Sequence, residues 1–130
     1  MKYHIVIVDD ELDLIKNLKY ELEDFSKDLQ VTYFTSGYEA LNLVRQEHVD
    51  LVLSDIAMPD MDGFELYSRV KEQDETIPVV LMTGFGYDPN HVVVRTKQKG
   101  PVDIVPKPFE TEKLGSLLLK RLQDHPPKEE

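Results

Sequence analysis

The chain has 130 residues, 41% hydrophobic and 31% charged, a composition that fits one globular domain with its own core and excludes a disordered chain. Fifteen basic against 25 acidic side chains leave a net charge of −10, which argues against direct binding to nucleic acid or to an anionic membrane. The absence of cysteine excludes a disulfide framework, thiol catalysis and a cysteine zinc site.

No apolar run approaches the roughly 20 residues of a membrane span, and the start lacks a signal-peptide core, so a cytoplasmic location is expected. Short apolar runs at 3–9, 29–34, 51–55, 78–83 and 102–106 read as strands. The first, third and fourth are almost continuously hydrophobic, as expected of strands covered on both faces. Between the first two, Leu12, Ile15, Leu18, Leu22 and Phe25 recur at helical spacing. A second helix opens at Ser36 with Glu39 three residues on, a capping-box pattern, and carries Ala40, Leu41 and Val44. A third opens at Asp62 and carries Phe64, Tyr67 and Val70. A fourth is placed around 90–99 and a fifth at 110–124, with Leu114, Leu117, Leu118 and Leu122 on its apolar face. The stretch 125–130 contains two prolines and cannot continue a helix, so the domain is expected over 1–124 with a tail or linker after it.

Five alternating strand–helix units predict a doubly wound α/β sandwich, because parallel strands need right-handed helical crossovers. The expected strand order is flavodoxin-like, 2-1-3-4-5. Two prolines fit it. Pro78 opens its strand, where a missing N–H is tolerated, and Pro106 lies in the fifth strand, which is an edge in this order.

Acids then collect at the strand tips. Asp9, Asp10 and Glu11 end the first strand and Asp55 ends the third, on either side of the switch point where such sheets bind ligands. Taken alone, the first group fits a solvated helix start, where acids complement the dipole. Asp55 at the neighbouring tip changes that. Two carboxylates about 4 Å apart repel by roughly 4 kcal/mol at an effective dielectric of 20, so three in one pocket must hold a cation or a proton. Mg2+, a hard ion that takes one or two carboxylates and bridges to phosphate, is the natural partner. The fourth strand ends in Thr83 and the fifth is followed by Lys107, which adds a hydroxyl and an ammonium. The set points to metal-assisted phosphoryl chemistry.

This pattern resembles the receiver domain of two-component response regulators. The family has an acidic pair after strand one, a phosphoacceptor aspartate in a D-x-x-M-P-x-M-x-G loop, Ser/Thr after strand four and Lys-Pro after strand five. Here these are Asp9 and Asp10, Asp55 through Gly63, Thr83 and Lys107-Pro108, in order across 3–124. The resemblance implies a phosphoprotein in which Asp55 receives a phosphoryl group from a histidine kinase or phosphotransfer domain. It implies Mg2+ on Asp10, Asp55 and the backbone carbonyl of Ala57, with Asp9 ordering water around the metal. Lys107 and Thr83 would contact the phosphoryl oxygens. The domain would be no enzyme beyond its own phosphorylation and slow dephosphorylation, and would signal to a downstream protein by a conformational switch.

Three departures bear on output. The position three before the lysine, commonly aromatic in the family, is Ile104. Pro106 precedes the lysine directly, and the stretch from Thr83 to Lys107 is about two residues longer than the usual pattern, around 87–90. The rival readings fit less well. An Asp-nucleophile phosphohydrolase would need D-x-D at the first tip, and a flavin binder would need phosphate donors there instead of acids. A receiver-like module without phosphorylation would not keep the full residue set, while a receiver excised from a hybrid histidine kinase has the same site. Gly84 and Gly86 lack the third glycine of a dinucleotide loop, the four histidines show no metal spacing, and Arg95, Lys97 and Lys99 read as a solvated basic face.

Overall fold

A computed structural model describes residues 2–84 and 102–124. The helix expected at 90–99, the lengthened stretch at 87–90, the basic cluster and the tail at 125–130 lie outside the described residues. In chain order the elements are β1 (Tyr3–Val8), α1 (Leu12–Phe25), β2 (Leu29–Phe34), α2 (Gly37–Gln46), β3 (Leu51–Asp55), α3 (Gly63–Gln73), β4 (Val79–Thr83), β5 (Asp103–Pro106) and α4 (Thr111–Asp124). The expected strands and the other four helices stand within about a residue of these bounds, a difference of the size that helix and strand ends allow.

All five strands are parallel, in the order β2-β1-β3-β4-β5. β3 and β4 are buried along their whole length, and β1 is buried from Ile5 to Val8. β5 is only half-buried and ends at Pro106, on the edge where a missing ladder N–H is harmless. Alternate residues feed opposite layers. Val6, Val8, Val52 and Leu81 pack with Ala40, Leu41 and Val44 of α2 and Tyr67 and Val70 of α3. Ile5, Ile7, Leu53 and Met82 pack with Ile15, Leu18 and Leu22 of α1 and Leu114, Leu118 and Leu122 of α4. Truncating one of these, such as Leu22, would cost about 2–5 kcal/mol.

Leu12 departs from the expectation, at 51% exposed. At ~100° per residue it falls about a quarter turn off the midline of the Ile15, Leu18 and Leu22 stripe, in the first turn of the helix. At the other end of α1, the Phe25 ring lies against α4, where a Cβ on Gly115 would come within 2.6 Å of it.

α1 also covers the outer edge of β2 at Val31. Glu23 Oε2 accepts the Val31 N–H at 2.9 Å, and Lys19 Nζ donates to the Val31 carbonyl at 2.6 Å and to Glu23 at 3.0 Å. Burial alone would raise the Glu23 carboxyl, but these donors together hold it below the ordinary value.

Candidate functional site

The carboxyl ends of β1, β3, β4 and β5 meet at one pocket. The β1–β2 ladder extends one bond further, Asp9 N–H to the Phe34 carbonyl at 3.2 Å, which fixes the Asp9 backbone. Its side chain is fully buried: Oδ1 accepts the Glu11 N–H at 2.9 Å and Oδ2 accepts from Lys107 Nζ at 2.6 Å. Asp10 next to it is exposed. Asp55 ends β3, only 6% exposed. One carboxylate oxygen from each of Asp9, Asp10 and Asp55 lies within 4.8 Å of the others. The sequence-predicted trio is brought together.

Lys107 reaches the same pocket from beyond β5, placed by its backbone N–H bond to the Thr83 carbonyl at 2.8 Å. Its ammonium lies 3.5 Å from Asp55 Oδ1. The Lys107–Pro108 peptide bond is cis, which sequence reading did not anticipate. Burial lowers the Lys107 pKa, but the Asp9 hydrogen bond and the charges of Asp9, Asp55 and Glu11 outweigh it and hold the ammonium above the ordinary value. Thr83 is buried, and among the described residues its hydroxyl makes only a long contact, 3.4 Å, to the Gly84 carbonyl. That is the local backbone bond expected of a strand-end threonine, and it is weak enough to give up.

Asp55 carries the electrostatic signature of the site. Burial first, then the Asp9 charge and more weakly that of Asp10, push its carboxyl from 3.8 up to about 6, against the pull of Lys107. Three carboxylates against one ammonium leave a surplus of negative charge that a divalent cation would neutralise. The donors are all hard oxygens, so the pocket fits Mg2+ in both charge and ligand type.

The loop at 56–62 follows Asp55. Ile56 N–H bonds the Met82 carbonyl at 3.0 Å, and Gly63 N–H closes back on the Ile56 carbonyl at 2.8 Å. Met58 and Met61 are buried in the α2–α3 layer, while Ala57 is exposed two residues beyond Asp55. A Cβ on Gly63 would sit 2.6 Å from the Asp55 carbonyl oxygen, so only glycine lets α3 start this close to β3.

Comparison with known proteins agrees with this arrangement. The model of the response regulator receiver domain family matches residues 5–119. The chain belongs to that family. This receiver domain is 32% identical over 126 residues to the transcriptional regulatory protein FixJ of Bradyrhizobium diazoefficiens, covering 97% of this chain and 60% of that protein. It is 34% identical over 123 residues to the sporulation initiation phosphotransferase F of Bacillus subtilis, covering 94% of this chain and 95% of that one. The crystal structure of a CheY-like response regulator receiver domain protein from Methanospirillum hungatei superposes with a TM-score of 0.86 at 25% identity, covering 96% and 97% of the two chains. The chain spans about three fifths of FixJ and about a quarter of the next relative, the transcriptional regulatory protein GlrR of Escherichia coli.

Away from the receiver site, His4 and His48 have a structural role. His4 contacts the His48 carbonyl through Nδ1 at 3.0 Å and Thr32 Oγ1 through Nε2 at 2.8 Å, and His48 Nε2 lies 2.7 Å from Asp50 Oδ1. They tie the amino-terminal parts of β1 and β3 to β2, on the side of the sheet away from the acidic pocket. His91 and His125 lie outside the described residues.

Proposed function

We propose that Asp55 is the phosphoacceptor, taking a phosphoryl group from the phosphohistidine of a histidine kinase or phosphotransfer domain. An Asp55 carboxylate oxygen forms the new O–P bond as the P–N bond of phosphohistidine breaks, and the imidazole nitrogen leaves with the electron pair. Asp10, Asp55 and the backbone carbonyl of Ala57 would hold Mg2+, with Asp9 beside them. The bound ion supplies positive charge against the anionic oxygens gathered during transfer. Lys107, already 3.5 Å from Asp55, would pair with one phosphoryl oxygen, and the Thr83 hydroxyl would leave Gly84 to donate to another.

The observation that carries this reading is the meeting of the Asp9, Asp10 and Asp55 oxygens within 4.8 Å, with the Lys107 ammonium against Asp9 and Asp55. On this reading residues 1–124 form the receiver unit and 125–130 a tail or linker. The domain works in the cytoplasm as a regulatory phosphoacceptor, signalling to a downstream protein and catalysing only its own phosphorylation and slow dephosphorylation.

Incubation with acetyl phosphate, followed by intact-mass measurement, tests it. Wild type gains a single phosphoryl group with Mg2+ and none with chelator, and Asp55→Asn gains none. Undiminished incorporation in Asp55→Asn would overturn the assignment. Steady turnover of phosphomonoesters would point instead to a phosphohydrolase.

A further inference from the structure

Asp60, midway along the loop at 56–62, is exposed, yet its carboxylate is tied at both oxygens. Oδ1 accepts the Met61 N–H at 2.9 Å, and Oδ2 accepts from Ser36 Oγ at 2.5 Å. Ser36 is the N-cap of α2, and the same Oγ accepts the Tyr38 N–H at 3.2 Å. One hydroxyl therefore serves two elements, capping a helix as acceptor and gripping the site loop as donor. Beside this clasp the packing is close: a Cβ on Gly37 would lie 3.1 Å from Met61 Sδ and 3.2 Å from Met61 Cβ. α2 is in turn seated on the sheet through buried Ala40, Leu41 and Val44.

We propose that Ser36 and Asp60 are a positioning pair for the metal-binding loop, an inference that rests on the reading of Asp55 and Ala57 given above. The clasp fastens the apex of the loop carrying Ala57 to a rigid helix, so the loop is ordered before any cation arrives. Without it, cation binding must meet the ordering cost itself, and affinity falls. Partners that orient ligands from behind typically change metal affinity by about 10–100-fold, and an exposed clasp belongs at the low end.

The test is a Mg2+ titration of the full chain, followed by amide shifts, with melting temperature measured in parallel without metal. Asp60→Ala and Ser36→Ala should each weaken Mg2+ roughly 10-fold, and the double variant should be no weaker than either, because both remove one interaction. Asp60→Asn, which keeps one acceptor oxygen and turns the other into a donor amide, should fall between wild type and Asp60→Ala, and Ser36→Thr should restore affinity relative to Ser36→Ala. Ser36→Ala should also melt lower than Asp60→Ala, since it alone loses the helix cap. Wild-type affinity in Asp60→Ala, additive losses in the double variant, or equal losses in Asp60→Asn and Asp60→Ala would each overturn the clasp. Failure of wild type to bind Mg2+ would overturn the functional reading and the clasp together, whereas normal binding with unaffected variants overturns the clasp alone.

Discussion

Lys107 is paired more closely with Asp9 than with the proposed acceptor: its ammonium lies 2.6 Å from Asp9 and 3.5 Å from Asp55. In this state Asp9 holds the lysine at the edge of the pocket, within reach of Asp55 but not committed to it. Asp9 is fully buried and Lys107 is 16% exposed, so the pair stands apart from the solvent-screened ion pairs of the surface.

Lys107→Ala should therefore destabilise the metal-free domain by about 3 kcal/mol, the low end for removing one partner of a buried pair. Mg2+ should restore part of the loss, because it takes over the neutralisation of Asp9 and Asp55. Urea unfolding with and without Mg2+ measures both effects. A metal-free stability equal to wild type would show that Asp9 needs no partner.

Asp10→Ala should abolish Mg2+ binding while leaving metal-free stability unchanged or slightly raised, since an acid that repels Asp55 is gone. The gain is small because Asp10 is exposed and contributes least among the charges acting on Asp55. Calorimetric titration with Mg2+ decides it, and unchanged affinity would place the metal elsewhere.

The raised carboxyl of Asp55 sets a pH dependence with a definite sign. The folded state holds this proton more tightly than the unfolded chain does. Its contribution to stability is fully present below 3.8 and is lost as pH rises through about 6. Asp55→Asn cannot ionise, so its stability relative to metal-free wild type should climb across that window and level off above it. Denaturation midpoints at a series of pH values test this. A difference that stays constant from pH 4 to pH 7 would show that Asp55 titrates normally.

Gly63→Ala should cost about 1–3 kcal/mol and weaken Mg2+ binding, because its Cβ would press on backbone, 2.6 Å from the Asp55 carbonyl oxygen and 2.8 Å from Ile56 Cα. Gly115→Ala also meets a neighbour at 2.6 Å, but that neighbour is the Phe25 ring, a side chain that can turn aside. Paired thermal melts should show the larger drop for Gly63→Ala; equal drops would mean that the acceptor loop yields as readily as a ring.

The response to phosphorylation should bypass the fifth strand. Ile104 lies beside Leu81 in the ladder, half-buried against the α2–α3 layer, and its branched side chain is stiff at χ1. The Thr83 hydroxyl still has about 1.5–3 kcal/mol to gain from a charged acceptor. With a beryllofluoride phosphate mimic, backbone amide shifts should be large over 84–92 and small over 102–106. Shifts concentrated at Ile104 and α4 would show that the family's ordinary switch works here without its aromatic residue.

The sheet order and the acidic pocket were readable from the sequence because each rests on short-range rules. Pro106 sends the fifth strand to an edge, Pro78 is tolerated at the head of the fourth, and an acid that interrupts an apolar run marks a strand tip. The clasp was not readable, since Ser36 and Asp60 are 24 residues apart and each looks like ordinary turn chemistry. Ser36 does cap α2 as expected, but it bonds Tyr38 N–H and reaches across to the loop. Lys19 and Glu23 lie off the apolar stripe of α1, and only the packing of α1 beside β2 brings them to Val31. Leu12 misled because helical spacing groups it with the stripe although, at ~100° per residue, it falls about a quarter turn off the midline, in the first turn of the helix.

The pairing at Val31 has a consequence for how this protein meets others. An open sheet offers two rims of unpaired backbone on which a foreign strand can build. On one rim the Val31 N–H and carbonyl are taken by side chains of the protein's own helix, and the other rim is short and ends in a proline with no N–H to offer. A strand added at either rim would template further pairing and aggregation. Both rims of the sheet are poor places to start.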